Sequence, residues 1–125
     1  MLASHLLVVL GALFGAGGVA LSAAAAHVSG GTSVETAARF LLFNAPVLVL
    51  VPVLARLGLA APGLALSAGG VIGLGVLLFS GDLAMRGLRG AALFPMAAPS
   101  GGMLLIAGFL MLALAAAWPL VAPAR

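Results

Sequence analysis

Charged positions in this chain are few, and the intervals between them are long and apolar. They occur only at Glu35, Arg39, Arg56, Asp82, Arg86, Arg89 and Arg125, which leaves uncharged runs over 1–34, 40–55, 57–81 and 90–124. A helix of about 20 mostly apolar residues crosses a hydrocarbon core about 30 Å thick, so each run holds one span. We place the spans near 5–27, 37–57, 64–85 and 101–120. Arg39 and Arg56 bracket the second span about 25 Å apart at the helical rise, so their guanidinium groups can snorkel to opposite interfaces. The connections are short. His27 to Thr36 carries Ser29-Gly30-Gly31-Thr32-Ser33, Arg56 to Pro62 contains Gly58, and the longest, Arg86 to Pro99, holds Gly90 and Pro95 and reads as a surface loop or short interfacial segment. Short turns make neighbours antiparallel. The predicted fold is all-α: one transmembrane domain over 1–125, an integral membrane four-helix antiparallel bundle.

Composition agrees. The chain is 65% hydrophobic and 6% charged, whereas ordinary globular domains are about a quarter charged, which argues against a soluble enzyme. The absence of Cys removes disulfides and thiolate zinc sites. The net charge of +3 comes from scattered Arg with no Lys, without the clustered basic face that nucleic acid needs. The first and third connections share one membrane side, with Glu35, Arg39, Asp82, Arg86 and Arg89. The other side holds Arg56, Arg125, His5 and the amino terminus. Three Arg against two Arg and an amine is close to even, so the positive-inside rule sets no orientation. The series Ser22-Ala23-Ala24-Ala25-Ala26 resembles a signal-peptide cleavage site. We read the run as a span, because it exceeds a signal core in length and no Lys or Arg precedes it.

Small residues recur at four-residue spacing: Gly11 with Gly15, Gly18 with Ser22, and Gly69 with Gly73. Helices in lipid associate by close van der Waals packing, so these residues are candidate packing positions on the first and third spans. Gly15-Ala16-Gly17-Gly18-Val19-Ala20 fits the loose dinucleotide fingerprint, but it lies inside an apolar span and not in the strand–turn–helix unit which that chemistry requires. The methionines at 85, 96, 103 and 111 read as gap-filling material.

Few polar groups remain to carry chemistry. His5 and His27 are about 33 Å apart along one helix, too far to share a metal or a haem within one chain. His27 reads first as an interfacial side chain at a helix end, and second as a protonatable group. Asp82 and Arg86, at i and i+4, can meet on one helix face. Arg39 lies on the same membrane side as an alternative partner for Asp82, and a membrane carboxylate is normally paired. Asn44 is the most polar point within a span, followed by Pro46 and Pro52. Prolines at these positions free the Leu42 and Leu48 carbonyls. A kink there, with Asn44 bridging to another helix, is the expected structural device, and a transporter-like binding site at a broken helix is the alternative. The candidate polar cluster is therefore His27, Arg39, Asn44, Asp82 and Arg86. With one carboxylate near the membrane and no chain of acids and bases through it, a proton pathway across one copy lacks stepping stones.

Several motifs in order resemble a known family: Gly11-Ala12 leading to Ala25-Ala26-His27, Thr36-Ala37-Ala38-Arg39-Phe40 with Asn44-Ala45, Leu78-Phe79-Ser80-Gly81, and Pro99-Ser100-Gly101-Gly102 with Ala107-Gly108-Phe109. Over roughly 11–117 the chain is similar to the domain of unknown function 423 family, which includes YgdD-like bacterial inner-membrane proteins and mitochondrial transmembrane protein 256. The resemblance implies a four-helix integral membrane protein, in a bacterial inner membrane for a YgdD-like member, and brings no established activity. Asn44 stands where the family commonly has His, Asp82 where it commonly has Ser, and Ala26 where it has Gly. Asp82 beside Arg86 thus reads as a local feature of this chain, open to a role toward a partner. The expected function is non-catalytic, without cofactor or metal: an accessory or assembly subunit packing against a larger membrane complex, in contact with lipids and with other membrane subunits or copies of itself. The alternative is a small carrier or channel for a proton, ion, lipid or hydrophobic metabolite.

Overall fold

The computed structural model describes residues 1–27 and 31–122. Four helices follow in chain order: α1 (Leu2–His27), α2 (Gly31–Arg56), α3 (Pro62–Arg89) and α4 (Ala97–Val121). All four are long and apolar enough to cross a membrane, and the protein is an all-α integral membrane protein. Ser29 and Gly30 of the expected first turn, and Arg125, lie outside the described residues.

All four helices overrun their expected bounds, α1 by three residues at its start and the other three each for a local reason. α2 begins at Gly31 and not near 37, because Glu35 and Arg39 pair across one helical turn at 2.6 Å and so belong to the helix. α3 continues past 85 to Arg89, carrying Arg86 on its last turns. It ends at Gly90, whose left-handed backbone (φ 70°) lets its N–H donate to the Arg86 carbonyl. α4 starts at Ala97 with Pro99 in its first turn, where proline is tolerated. The long third connection contracts to residues 90–96.

The residues in contact give the topology. Gly11 faces Ala45, Leu48 and Val49, and Gly18 faces Leu42, so α1 and α2 run antiparallel. Gly73 approaches Leu48, Gly69 approaches Val51, and the Phe79 and Phe40 rings lie 4.5 Å apart, which makes α2 and α3 antiparallel. Gly75 meets Gly101 while Ile72 meets Gly108, giving the same relation for α3 and α4. Leu7 and Leu10 reach across to Gly69 and Gly73, so α1 also touches α3. α4 packs on α3 alone, and its backbone approaches neither α1 nor α2. The core, built around Phe14, Leu48, Val51, Ile72, Val76 and Leu105, draws on all four helices. The two terminal helices nonetheless remain apart.

Closeness between α3 and α4 comes from small residues repeating every seven positions. Ala61, Ala68 and Gly75 on one side, and Gly101, Gly108 and Ala115 on the other, keep one face of each helix low. A seven-residue repeat holds such a seam against its neighbour over several turns. At its far end a proline completes the contact. Pro119 lies inside α4 and cannot donate to the Ala115 carbonyl, and the Ala61 N–H, just before α3, donates to that same oxygen at 2.8 Å. Pro119→Ala restores a competing N–H at position 119. Amide exchange at Ala61 should then accelerate by roughly fivefold to tenfold, the worth of about 1 kcal/mol of hydrogen bond. Unchanged protection would mean that the proline does not control this link.

Candidate functional site

The five polar residues singled out from the sequence do not form one cluster. Asp82, fully buried, accepts Arg86 Nε at 2.9 Å and the Leu93 backbone N–H at 2.8 Å. Arg39 pairs with Glu35 and not with Asp82, and that pair is exposed on both sides. His27 is exposed at the end of α1. Asp82 spends its acceptors inside the chain, tying the 90–96 connection back to α3. With no exposed surface, it has no face to offer a partner. It is a staple for the turn between α3 and α4.

The predicted packing positions divide in a similar way. Gly11 and Gly18 are buried against α2, and Gly69 and Gly73 against α1 and α2, as their spacing suggests. At Gly15 a methyl group would meet only the Ala45 methyl at 3.8 Å, an ordinary contact. Ser22 is exposed and does not pack: it edges a shallow hollow with Ala25, Ala26, Glu35 and Arg39. Equally close approaches, made largely to backbone atoms, fall at Gly75, Gly101 and Gly108 between α3 and α4. The four-residue rule missed these, because their repeat is seven.

Asn44 behaves differently from the expectation. Its Nδ2 donates to the Phe40 carbonyl at 2.8 Å, one turn back in its own helix, and does not bridge to another helix. Oδ1 has no partner among the described residues although the residue is 3% exposed. Reversing the amide would set two carbonyl oxygens against each other, so the hydrogen bond fixes which atom is left over. α2 runs as one helix through Pro46 and Pro52, and Asn44 sits about 7 Å deeper than Arg39 along it.

Asn44 also lines a wide apolar hollow. Because α4 packs on α3 alone, a groove of about 730 Å³ opens between α2 and α4. Phe40 and Asn44 form one wall; Met103, Ile106, Phe109 and Leu110 stand on the other, with Phe79 between and Gly102 leaving room. Its residues on α4 run from Pro99 to Leu110, about 17 Å of helix or roughly half the hydrocarbon thickness. Asn44 is the only side chain among the lining residues with a hydrogen-bonding group. The phenylalanines gave no periodic signal. What could have marked them is that Phe40, Phe79 and Phe109 fall on three different helices, Phe40 and Phe79 toward the end where Arg39 and Arg86 lie and Phe109 at the middle of α4.

Residues 14–102 match the family described as Protein of unknown function (DUF423). No curated protein and no solved structure matches the chain.

Proposed function

We propose that this chain, which belongs to the DUF423 family, is a non-catalytic accessory or assembly subunit that packs laterally against a larger complex, in a bacterial inner membrane. The observation that carries the reading is the openness of the fold. α1 and α4 never meet, and each keeps a long flank of large apolar side chains, Val9 and Leu13 on α1 and Ile106, Leu110 and Leu114 on α4, outside the core. Lipid can cover such flanks, but helices of another chain can cover them equally well, and glycines let backbones come close. The described residues outside the membrane amount to short turns, too little to carry a separate soluble activity.

A carrier is the second reading, favoured by the groove between α2 and α4 in one form only. The lining is apolar apart from Asn44, which suits a lipid or hydrophobic metabolite better than an ion. Native size separates the two readings. The protein, tagged at its chromosomal locus and extracted in mild detergent, should migrate with a large membrane complex at fixed stoichiometry, with its neighbours identified by mass spectrometry. Migration as a free monomer would refute the subunit reading.

A further inference from the structure

We propose that the groove between α2 and α4 is a binding site for a lipid-soluble molecule with a flat ring that carries a hydrogen-bond donor, a phenol-type hydroxyl on an apolar tail, with the donor on Asn44. Three independent features select this class. The first is the orphaned acceptor. Asn44 Oδ1 has no donor among the described residues and is closed off while the groove is empty, so an occupant's donor reaches it through a small turn of the Asn44 side chain, whose Nδ2 is engaged by the Phe40 carbonyl. A buried carbonyl oxygen without a donor is costly, and an occupant that supplies an N–H or O–H recovers that loss. An occupant that could only accept would gain nothing there.

The second feature is the wall. Phe40, Phe79 and Phe109 bring three aromatic rings to one groove, with Phe40 and Phe79 already in contact at 4.5 Å. Aromatic rings prefer offset or edge contacts with another ring, so a flat ring finds partners here that a saturated chain does not. Farther along α4, Ile106 and Leu110 offer a purely apolar path for a tail. The third feature is size and place. About 730 Å³ lies within the usual range of small-molecule sites. A transmembrane helix is about 10 Å across and about 30 Å long, several times that volume. The groove opens sideways between two membrane-spanning helices, so its occupant arrives from the lipid phase.

The test compares two probes identical except for the donor, 4-decylphenol and its methyl ether 4-decylanisole, by equilibrium dialysis against the full chain in nanodiscs, with empty nanodiscs subtracted. The phenol should bind saturably at one site per chain, about tenfold more tightly than the ether, the worth of one buried hydrogen bond. Asn44→Leu should remove that preference and leave weak binding of both probes. Gly102→Leu should abolish binding of both by filling the groove. A methyl carbon at position 102 meets only the Phe79 ring edge at 3.8 Å, and thermal unfolding of the variant checks that the fold survives. Equal binding of the two probes to the natural chain, a preference that survives Asn44→Leu, or no saturable binding at all would each overturn the proposal. The two-probe comparison needs no variant, and its outcome does not depend on whether the chain also joins a complex.

Discussion

Gly101→Ala should lower stability by about 3 kcal/mol. A Cβ at position 101 would lie 2.5 Å from the Phe79 backbone nitrogen and 2.7 Å from the Gly75 carbonyl oxygen. Both neighbours are backbone, so neither can rotate away, and relief requires α3 and α4 to separate along the seam. Overpacking of this kind usually costs about 1–3 kcal/mol and more where nothing flexible yields. Gly75→Ala faces the Gly101 carbonyl oxygen and the Leu105 nitrogen, both at 2.9 Å, and should cost nearly as much. At Gly70 nothing lies within 4 Å, so Gly70→Ala should stay within about 0.5 kcal/mol of the natural chain. Reversible unfolding in mixed micelles, followed by the loss of helix signal, ranks the three. Equal effects at Gly70 and Gly101 would mean that α3 and α4 are not in this close contact.

The second large effect is expected at the staple of the third connection. Arg86→Ala leaves the carboxylate of Asp82 buried, still holding the Leu93 N–H but deprived of its cation. Removing one partner of a buried pair typically costs about 3–5 kcal/mol, because the remaining charge has no compensation. The guanidinium side is 48% exposed, so water or a lipid head group softens the loss, and we expect the low end, about 3 kcal/mol. Asp82→Asn keeps an acceptor for the Leu93 N–H and buries no charge, and it should cost only about 1 kcal/mol. The same unfolding assay, with protease cleavage within 90–96 as a local readout, checks the order. If Asp82→Asn proves the more damaging of the two, the buried carboxylate is not what depends on Arg86.

Much of the architecture was legible in the sequence because one physical constraint dominates it: a chain with so few charges must place them at the edges of spans. Spans and turns followed from Arg39, Arg56, Asp82 and Arg86 alone. Helix ends were less legible for the same reason. Placing Glu35, Arg86 and Arg89 in the connections ignored that a pair at i and i+4, such as Glu35 with Arg39 or Asp82 with Arg86, extends a helix beyond the hydrocarbon. The partner of Asp82 was half legible, since spacing proposed Arg86, but the second bond comes from the Leu93 backbone, and no side-chain pattern advertises a main-chain donor. Asn44 was visible as a polar residue in an apolar span, whereas the groove beside it was not. That groove depends on α4 resting on α3 alone, a relation set by the seven-residue repeat of Ala61, Ala68, Gly75, Gly101, Gly108 and Ala115. A search restricted to four-residue spacings passes over this repeat and selects Ser22, which turns out to be exposed.

The reading of the chain as a subunit rests on its two unclosed flanks, so the most direct measurement places a photoreactive benzophenone side chain at Leu13 on α1 or at Leu114 on α4 and irradiates intact membranes. Both positions are more than half exposed and point away from the core. The account predicts a protein adduct of one defined mass from at least one flank, containing the same chain that co-migrates with the protein at fixed stoichiometry. Adducts with lipid alone from both flanks, in membranes where the protein is at its natural abundance, would contradict it.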